Sequence, residues 1–472
     1  MKHLSLCLTL MGLAGAARAA EAEEPRAVAS RLTLFASNDE VRTTNAATGL
    51  NLGLSVRALE FGPGLSAEAE VSLFALAGPQ GQLGLRDNAS FVRLSWRPES
   101  WAEGEGLALT VLPLSSTRLH LGYEFPATWG RFVYTLRTSG AGNGVPGAEL
   151  RLVRSWGYAF AAAKSTLEAN ERTLETDRLV MALAGAGVDV LPVLRLEAAG
   201  ALAQHGQIPG LGAQGIERLS QTLGVSGRAL YHQGAPIGPS VDFTLYRQDP
   251  AVYETLFAPE AYPDGVSASV SLEGTHLVQD LTSSDLPVGE TAPVGSDVLA
   301  LQARLKVDRL RVHALGLYRS AMFLVSEVPG LPPFRDLRPA DVQNATLLTV
   351  GADYHLPRLG LTPGLLLRAE WPASFQATAL QDNVPVLVGK RVVIRGPSTV
   401  SLLPEGRERQ PQLLAKATAR WDPGSRVTVL GEVFYTYDPN RTTFRDDAVG
   451  IAQPVPEPPS SAGFSLLLQL RF

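Results

Sequence analysis

Cysteine is almost missing from this chain: of 472 residues, only Cys7 is one. A disulfide-stapled extracellular module is thereby excluded. Charge is scarce too, at 18% against the roughly 25% of an ordinary soluble protein. With 41 Lys+Arg against 46 Asp+Glu the formal net charge is -5, a balance that leaves no basic surface for nucleic acid. Beyond the first twenty residues no run of about 18 apolar residues occurs, which excludes a membrane-spanning helix. The longest candidate, 179–191, is too short and is interrupted by Asp189. No linker divides the chain, although a soluble protein of this length would usually form about three domains. One large closed architecture is the alternative.

Signatures of catalysis are also missing. Outside the first twenty residues the six histidines are His120, His205, His232, His276, His313 and His355, and no two are close enough in sequence to suggest a metal pair. There is no Gly-x-Ser-x-Gly, no phosphate-cradling Gly-Lys-Ser/Thr and no His-Glu-x-x-His. The expectation is a protein that is not an enzyme and uses neither metal nor cofactor.

What is present begins with Lys2 and His3 ahead of an apolar run from Leu4 to Gly15, followed by Ala17-Arg18-Ala19. This pattern predicts a cleaved signal peptide over residues 1–20. Cys7 lies in the middle of that run, badly placed for a lipid anchor. The exported chain, 21–472, would carry 39 basic against 46 acidic residues and no cysteine.

The rest of the chain shows alternation of period two in segments of about ten residues, the length a tilted strand needs to cross a bilayer. Leu299, Leu301, Ala303, Leu305 and Val307 oppose Gln302, Arg304, Lys306 and Asp308; Leu348, Val350, Ala352 and Tyr354 oppose Thr349, Asp353 and His355. A strand reads this way when one face meets oil and the other meets water. Eighteen segments are assigned to a barrel wall, Ser240 to Gln248 among them. Val266 to Gln279 and Pro385 to Arg395 alternate more loosely, and counting both would raise the total to twenty. The fold expected is all-β, a closed antiparallel transmembrane β-barrel of about 18 strands, within a range of about 16 to 20, forming one domain over 21–472.

Connections alternate as well. Tight turns at Gly62-Pro63-Gly64, Leu191-Pro192, Asp308-Arg309 and Asp422-Pro423-Gly424 are separated by long polar or Pro-rich stretches, which is the hairpin signature of an outer-membrane barrel. Trp96, Trp371 and Trp421 stand at strand ends and Trp156 at a turn, where an interfacial aromatic girdle belongs.

The final segment places Phe464, Leu466, Leu468, Leu470 and Phe472 on one face. In this it resembles bacterial, Gram-negative outer-membrane β-barrel proteins of the porin kind, whose last strand is amphipathic and ends in a Phe that the barrel-assembly machinery recognises. The Ala/Gly/Arg-rich style, the Asn440-Arg441-Thr442-Thr443-Phe444 loop and the closing Gly463-Phe464-Ser465-Leu466 are similar to uncharacterised barrels of myxobacteria. The resemblance implies an outer-membrane location among lipid and lipopolysaccharide, insertion by that machinery, and a homo-oligomer as one form of the protein. Barrel-borne lipid hydrolases carry a Ser and a His on the outer wall. Ser269 or Ser271 with His276 is the nearest match here, but the spacing along one strand is too long for a hydrogen bond.

Function then depends on what lines the lumen. Residues 116–146 are a candidate for an inward-folded constriction loop, with Tyr123, Glu124, Trp129 and Arg131 as its aromatic and charged members; an extra wall hairpin is the other reading. Arg57, Arg93, Arg195, Arg304, Lys306, Arg311, Arg368 and Glu370 fall on the inferred inner face, where cations outnumber acids. Such a wall predicts a channel for passive or weakly selective diffusion of small hydrophilic solutes with a mild anion preference. The alternative is a plugged, non-conducting barrel acting as an adhesin or assembly scaffold.

Overall fold

The structure, a computed structural model, describes residues 28–40, 46–77, 83–124, 127–131, 144–169, 176–208, 211, 215, 219–242, 256–257, 260–283, 285–325, 336, 338, 341–376, 390–396, 399–446 and 452–472. The predicted leader lies outside these. In chain order the strands are β1 (Val28–Asn38), β2 (Ala46–Gly62), β3 (Leu65–Ala77), β4 (Leu83–Asp87), β5 (Phe91–Trp96), β6 (Gly106–Leu112), β7 (Gly147–Arg154) and β8 (Gly157–Ala169). Next come β9 (Thr176–Leu191), β10 (Leu194–Gln207), β11 (Leu219–Gln233), β12 (Val266–Leu281), β13 (Ala292–Val307), β14 (Leu310–Arg319), β15 (Ala345–Tyr354) and β16 (Leu361–Trp371). The last are β17 (Ala373–Gln376), β18 (Arg391–Gly396), β19 (Thr399–Leu402), β20 (Gln412–Gly424), β21 (Val427–Tyr437), β22 (Thr442–Asp446), β23 (Ala452–Pro456) and β24 (Ser460–Arg471).

Every neighbouring pair in the wall is antiparallel, and the ring closes where β1 meets β24, with Leu32 opposite Leu470 and Leu34 opposite Leu468. Phe472 completes the seam by exchanging backbone hydrogen bonds with Ser30. Strand β4 continues β5: both pair with β3, and the break at 88–90 is a bulge around Ala89, whose φ of 59° is left-handed. The wall is therefore a closed barrel of eighteen strands, β1–β3, β5–β16, β20, β21 and β24.

Two assignments exchange places. Ser240–Gln248 does not join the wall: Ser240, Val241 and Asp242 have left it for the lumen, and 243–248 lie outside the described residues. Its place is taken by β12, paired with β11 and with β13 along its length. Small inward residues, Ser267, Ser269, Ser271 and Thr275, weaken the polar contrast of β12, while Val266, Val270 and Leu272 still face out. The other loose segment, 385–395, is not a crossing either. Its described part opens β18, which forms a small rim sheet with β17 and β19.

The outer surface is apolar where a soluble protein would be polar. Leu52, Leu301, Val350, Leu367 and Val433 are all more than 45% exposed, at strand positions whose neighbours face inward. Such a belt has lipid as its solvent. Trp96 and Trp156 are exposed at the rim that holds both chain ends, and Trp371 at the opposite rim. Connections at the first rim are two residues long at 63–64, 155–156, 192–193, 308–309 and 425–426. Three are longer: 97–105 and 355–360, of nine and six residues, and 234–265, 32 residues between β11 and β12.

Candidate functional site in the lumen

Two segments enter the barrel, one from each rim. The first, between β6 and β7, is described at 113–124, 127–131 and 144–146. Leu121 and Trp129 exchange backbone hydrogen bonds of 2.7 and 2.8 Å, folding it into a narrow turn. Trp129 is fully buried in one apolar cluster with Leu121, Met181 and Leu277. The Glu273 carboxylate on β12 accepts the backbone N–H groups of Tyr123 at 2.8 Å and Glu124 at 2.5 Å. Lys164 on β8 donates to the carbonyls of Leu119 and Gly130. Glu124 pairs with Arg228 at 3.1 Å and approaches Arg304 at 3.8 Å. The segment thus reaches from β6 across the lumen to β11–β13. Arg131 lies 3.4 Å from the His120 ring. Burial, reinforced by Arg131 and Lys164, holds that ring well below its ordinary pKa, so it is neutral.

Between this segment and β7–β11 lies an open cavity of about 460 Å³. Arg118, Arg151, Arg154, Arg195 and Arg228 line it, against Glu149 and Glu197 and the hydroxyls of Tyr123 and Tyr158. Each of these guanidinium groups already has a partner, Arg118 over the Phe91 ring at 5.5 Å among them. Arg151 binds Glu149 at 2.8 Å, Arg195 binds Asp189 at 2.6 Å, Arg228 binds Glu197, and Arg154 stacks on Trp101 at 4.1 Å. Even so, Arg151 and Arg195 keep 40% and 39% of their side-chain surface exposed to the cavity side. A solute entering here meets delocalised cations backed by carboxylates.

The remaining inner-face residues are placed as follows. Arg93 faces inward and pairs with Glu68 at 3.2 Å, and Glu370 lies 3.7 Å from Arg319. The side chain of Arg57 is outside the described residues. Lys306, Arg311 and Arg368 face inward but are covered by the second segment, described at 234–242, 256–257 and 260–265. Asp242, fully buried, binds Arg368 and Lys416, and Lys416 also binds Glu432 at 2.9 Å. Glu260 binds Arg311 at 2.8 Å and lies 3.6 Å from Lys306, while Arg311 also holds Asp353 at 2.7 Å. Burial alone would raise the Asp242 carboxyl, but Arg368 and Lys416 hold it down at about 2, so it stays charged.

The serine and histidine considered for the outer wall are not brought together there. Ser271 is buried on the lumen side of β12, whereas His276 faces outward and pairs with Asp297 at 2.7 Å. Arg151 is legible in the sequence, since Glu149 and Arg151 alternate with Leu150 and Leu152, although it is not among the inner-face residues expected above. Arg118 sits in a connection without periodicity and left no signal.

No protein-family model matches this chain, and no curated protein does. Among solved structures it is similar to Pseudomonas aeruginosa OccD3 (OpdP), at 10% identity and TM-score 0.49 over 96% of this chain and 93% of that one. It is also similar to P. aeruginosa OccK3 (OpdO), at 11% and 0.47 over 94% and 95%, and to P. aeruginosa OccK2 (OpdF) in complex with glucuronate, at 8% and 0.49 over 94% and 97%. The strand count and the closure stand on the pairing described above, independently of these likenesses.

Proposed function

We propose that this protein is an outer-membrane, porin-like channel for passive or weakly selective diffusion of small hydrophilic solutes, with a mild preference for anions. The observation that carries the reading is the arginine-lined cavity inside a closed wall, between an inserted segment and β7–β11. Eighteen strands enclose more space than side chains alone fill, so a lumen of this size holds water wherever no segment occupies it. The lipid-facing belt suits outer-membrane lipid and lipopolysaccharide. The outward row Phe464, Leu466, Leu468, Leu470 and Phe472 on β24 is proposed as the assembly signal, and a homo-oligomer as its form in the membrane.

Single-channel recording in a salt gradient tests the reading. The wild type is expected to give a steady current with a modest anion-selective reversal potential. Arg151→Gln with Arg195→Gln leaves Glu149 and Asp189 uncompensated beside the cavity, so the reversal potential should move toward zero or past it. A cation-selective wild type would remove the anion preference.

The two insertions favour a second reading, a non-conducting barrel that serves as an adhesin or assembly scaffold. A barrel of that kind passes no steady current in a planar bilayer.

A further inference from the structure

The two inserted segments are held by different mixtures of forces. The segment from the loop rim combines apolar packing around Trp129, Leu121 and Leu119 with the grip of Glu273 and Lys164 on its backbone. The segment from the terminal rim makes a small apolar contact, Val241, Leu256 and Phe257 against Leu430, Leu467 and Phe35, stacks Tyr262 on His355 at 4.1 Å, and draws most of its remaining contacts from charge. Wall cations grip its backbone: Lys306 donates to the carbonyls of Pro236 at 2.8 Å and Ala261 at 2.9 Å, Arg311 to Gly238 at 2.9 Å, and Arg420 to Leu256 at 3.0 Å. Its own Asp242 and Glu260 complete the set. Among the described residues six cations, Lys306, Arg311, Arg368, Lys416, Arg420 and Arg471, face five carboxylates, Asp242, Glu260, Asp353, Asp422 and Glu432. Two of the five acids belong to the insertion.

Attachment by ion pairs differs from attachment by packing, because water returns to charges the solvation they gave up on burial. The net free energy holding such a segment is small relative to the number of its contacts. The fit against the wall is also incomplete: a 20 Å³ gap remains between Ser240 and Thr349, and both ring nitrogens of His313, which lines it, lack a partner among the described residues. Glycines of positive φ, Gly234 at 88° and Gly265 at 108°, stand at the two ends of the segment, where the chain reverses out of β11 and back into β12.

We propose that the described parts of this connection, 234–242, 256–257 and 260–265, form a releasable plug that enters from the terminal rim, and that their withdrawal bares a second anion-attracting wall made of Lys306, Arg311, Arg368, Lys416, Arg420 and Arg471. With the plug seated six cations face five carboxylates among the described residues. Without it, six face three. The inference rests on the channel reading and adds to it a resting state of lower conductance and weaker selectivity.

The test is single-channel recording of the wild type beside Asp242→Asn with Glu260→Gln, after heat-shift electrophoresis has shown that both barrels are folded. The variant should show an added open state of about twofold or greater conductance, with the reversal potential shifted further toward anions. Cysteines at Ser240 and Thr349, in a Cys7→Ser background and joined by a short thiol-reactive cross-linker, should abolish that added state. A conducting wild type whose currents and selectivity the variant leaves unchanged overturns the plug, as does an added state that survives the cross-link. If neither protein conducts, the channel reading itself fails and takes the plug with it.

Discussion

Val350→Arg is expected to destabilise the folded barrel in lipid by about 2–4 kcal/mol. Val350 sits midway along β15, 58% exposed, opposite Ala314 on β14 and Leu367 on β16. A guanidinium there lies near the middle of the apolar belt, where no carboxylate is at hand and even a long side chain reaches the headgroups poorly. The measurement is a urea titration of the protein refolded into phosphatidylcholine vesicles. Val288→Arg is the control. Val288 is 73% exposed in the connection between β13 and β12 at the loop rim, and its replacement should stay within about 0.5 kcal/mol. Equal effects at the two sites would mean that the outer face of β15 does not meet lipid.

Trp129→Ala should cost about 3–5 kcal/mol of the attachment of the loop-rim segment, since it empties the largest fully buried side chain of the molecule's described residues. Leu121 and Met181, both fully buried in the same cluster, lose their packing partner together. The strands of the wall keep their own hydrogen bonds, so the loss is local. Two readouts follow from that: faster hydrogen exchange at 119–131, and larger, noisier currents as the segment leaves the lumen. Trp156→Ala removes a ring that is 59% exposed at the other rim and should change neither. Unchanged exchange and current in Trp129→Ala would show that the segment is not held by this packing.

The wall was legible because its signal is local. Leu299 to Val307 alternate with Gln302, Arg304 and Lys306, and the pleat sends consecutive side chains to opposite faces whatever the rest of the chain does. The same parity puts Arg304, Arg311 and Arg368 inside. It misled at 240–248, where Val241 and Asp242 alternate as wall residues would, although Val241 packs on Leu430 and Leu467 inside the lumen. Parity reports only that neighbouring side chains differ in polarity, and Val241 against Leu430 beside Asp242 against Arg368 and Lys416 meets that condition inside the lumen.

Occupancy of the lumen lay beyond that signal. Asp242 and Lys416 are 174 residues apart in the chain, Tyr123 and Glu273 are 150 apart, and nothing in either neighbourhood names the other. The sequence alone determined a lipid-facing barrel of about eighteen crossings, because strand length and side-chain parity are properties of short stretches, but it took 240–248 for a crossing that β12 supplies. Which arginines face open water and which are neutralised beneath a folded connection was decided by the tertiary structure. Pairing among buried charges depends on distances that exist only once the barrel has closed.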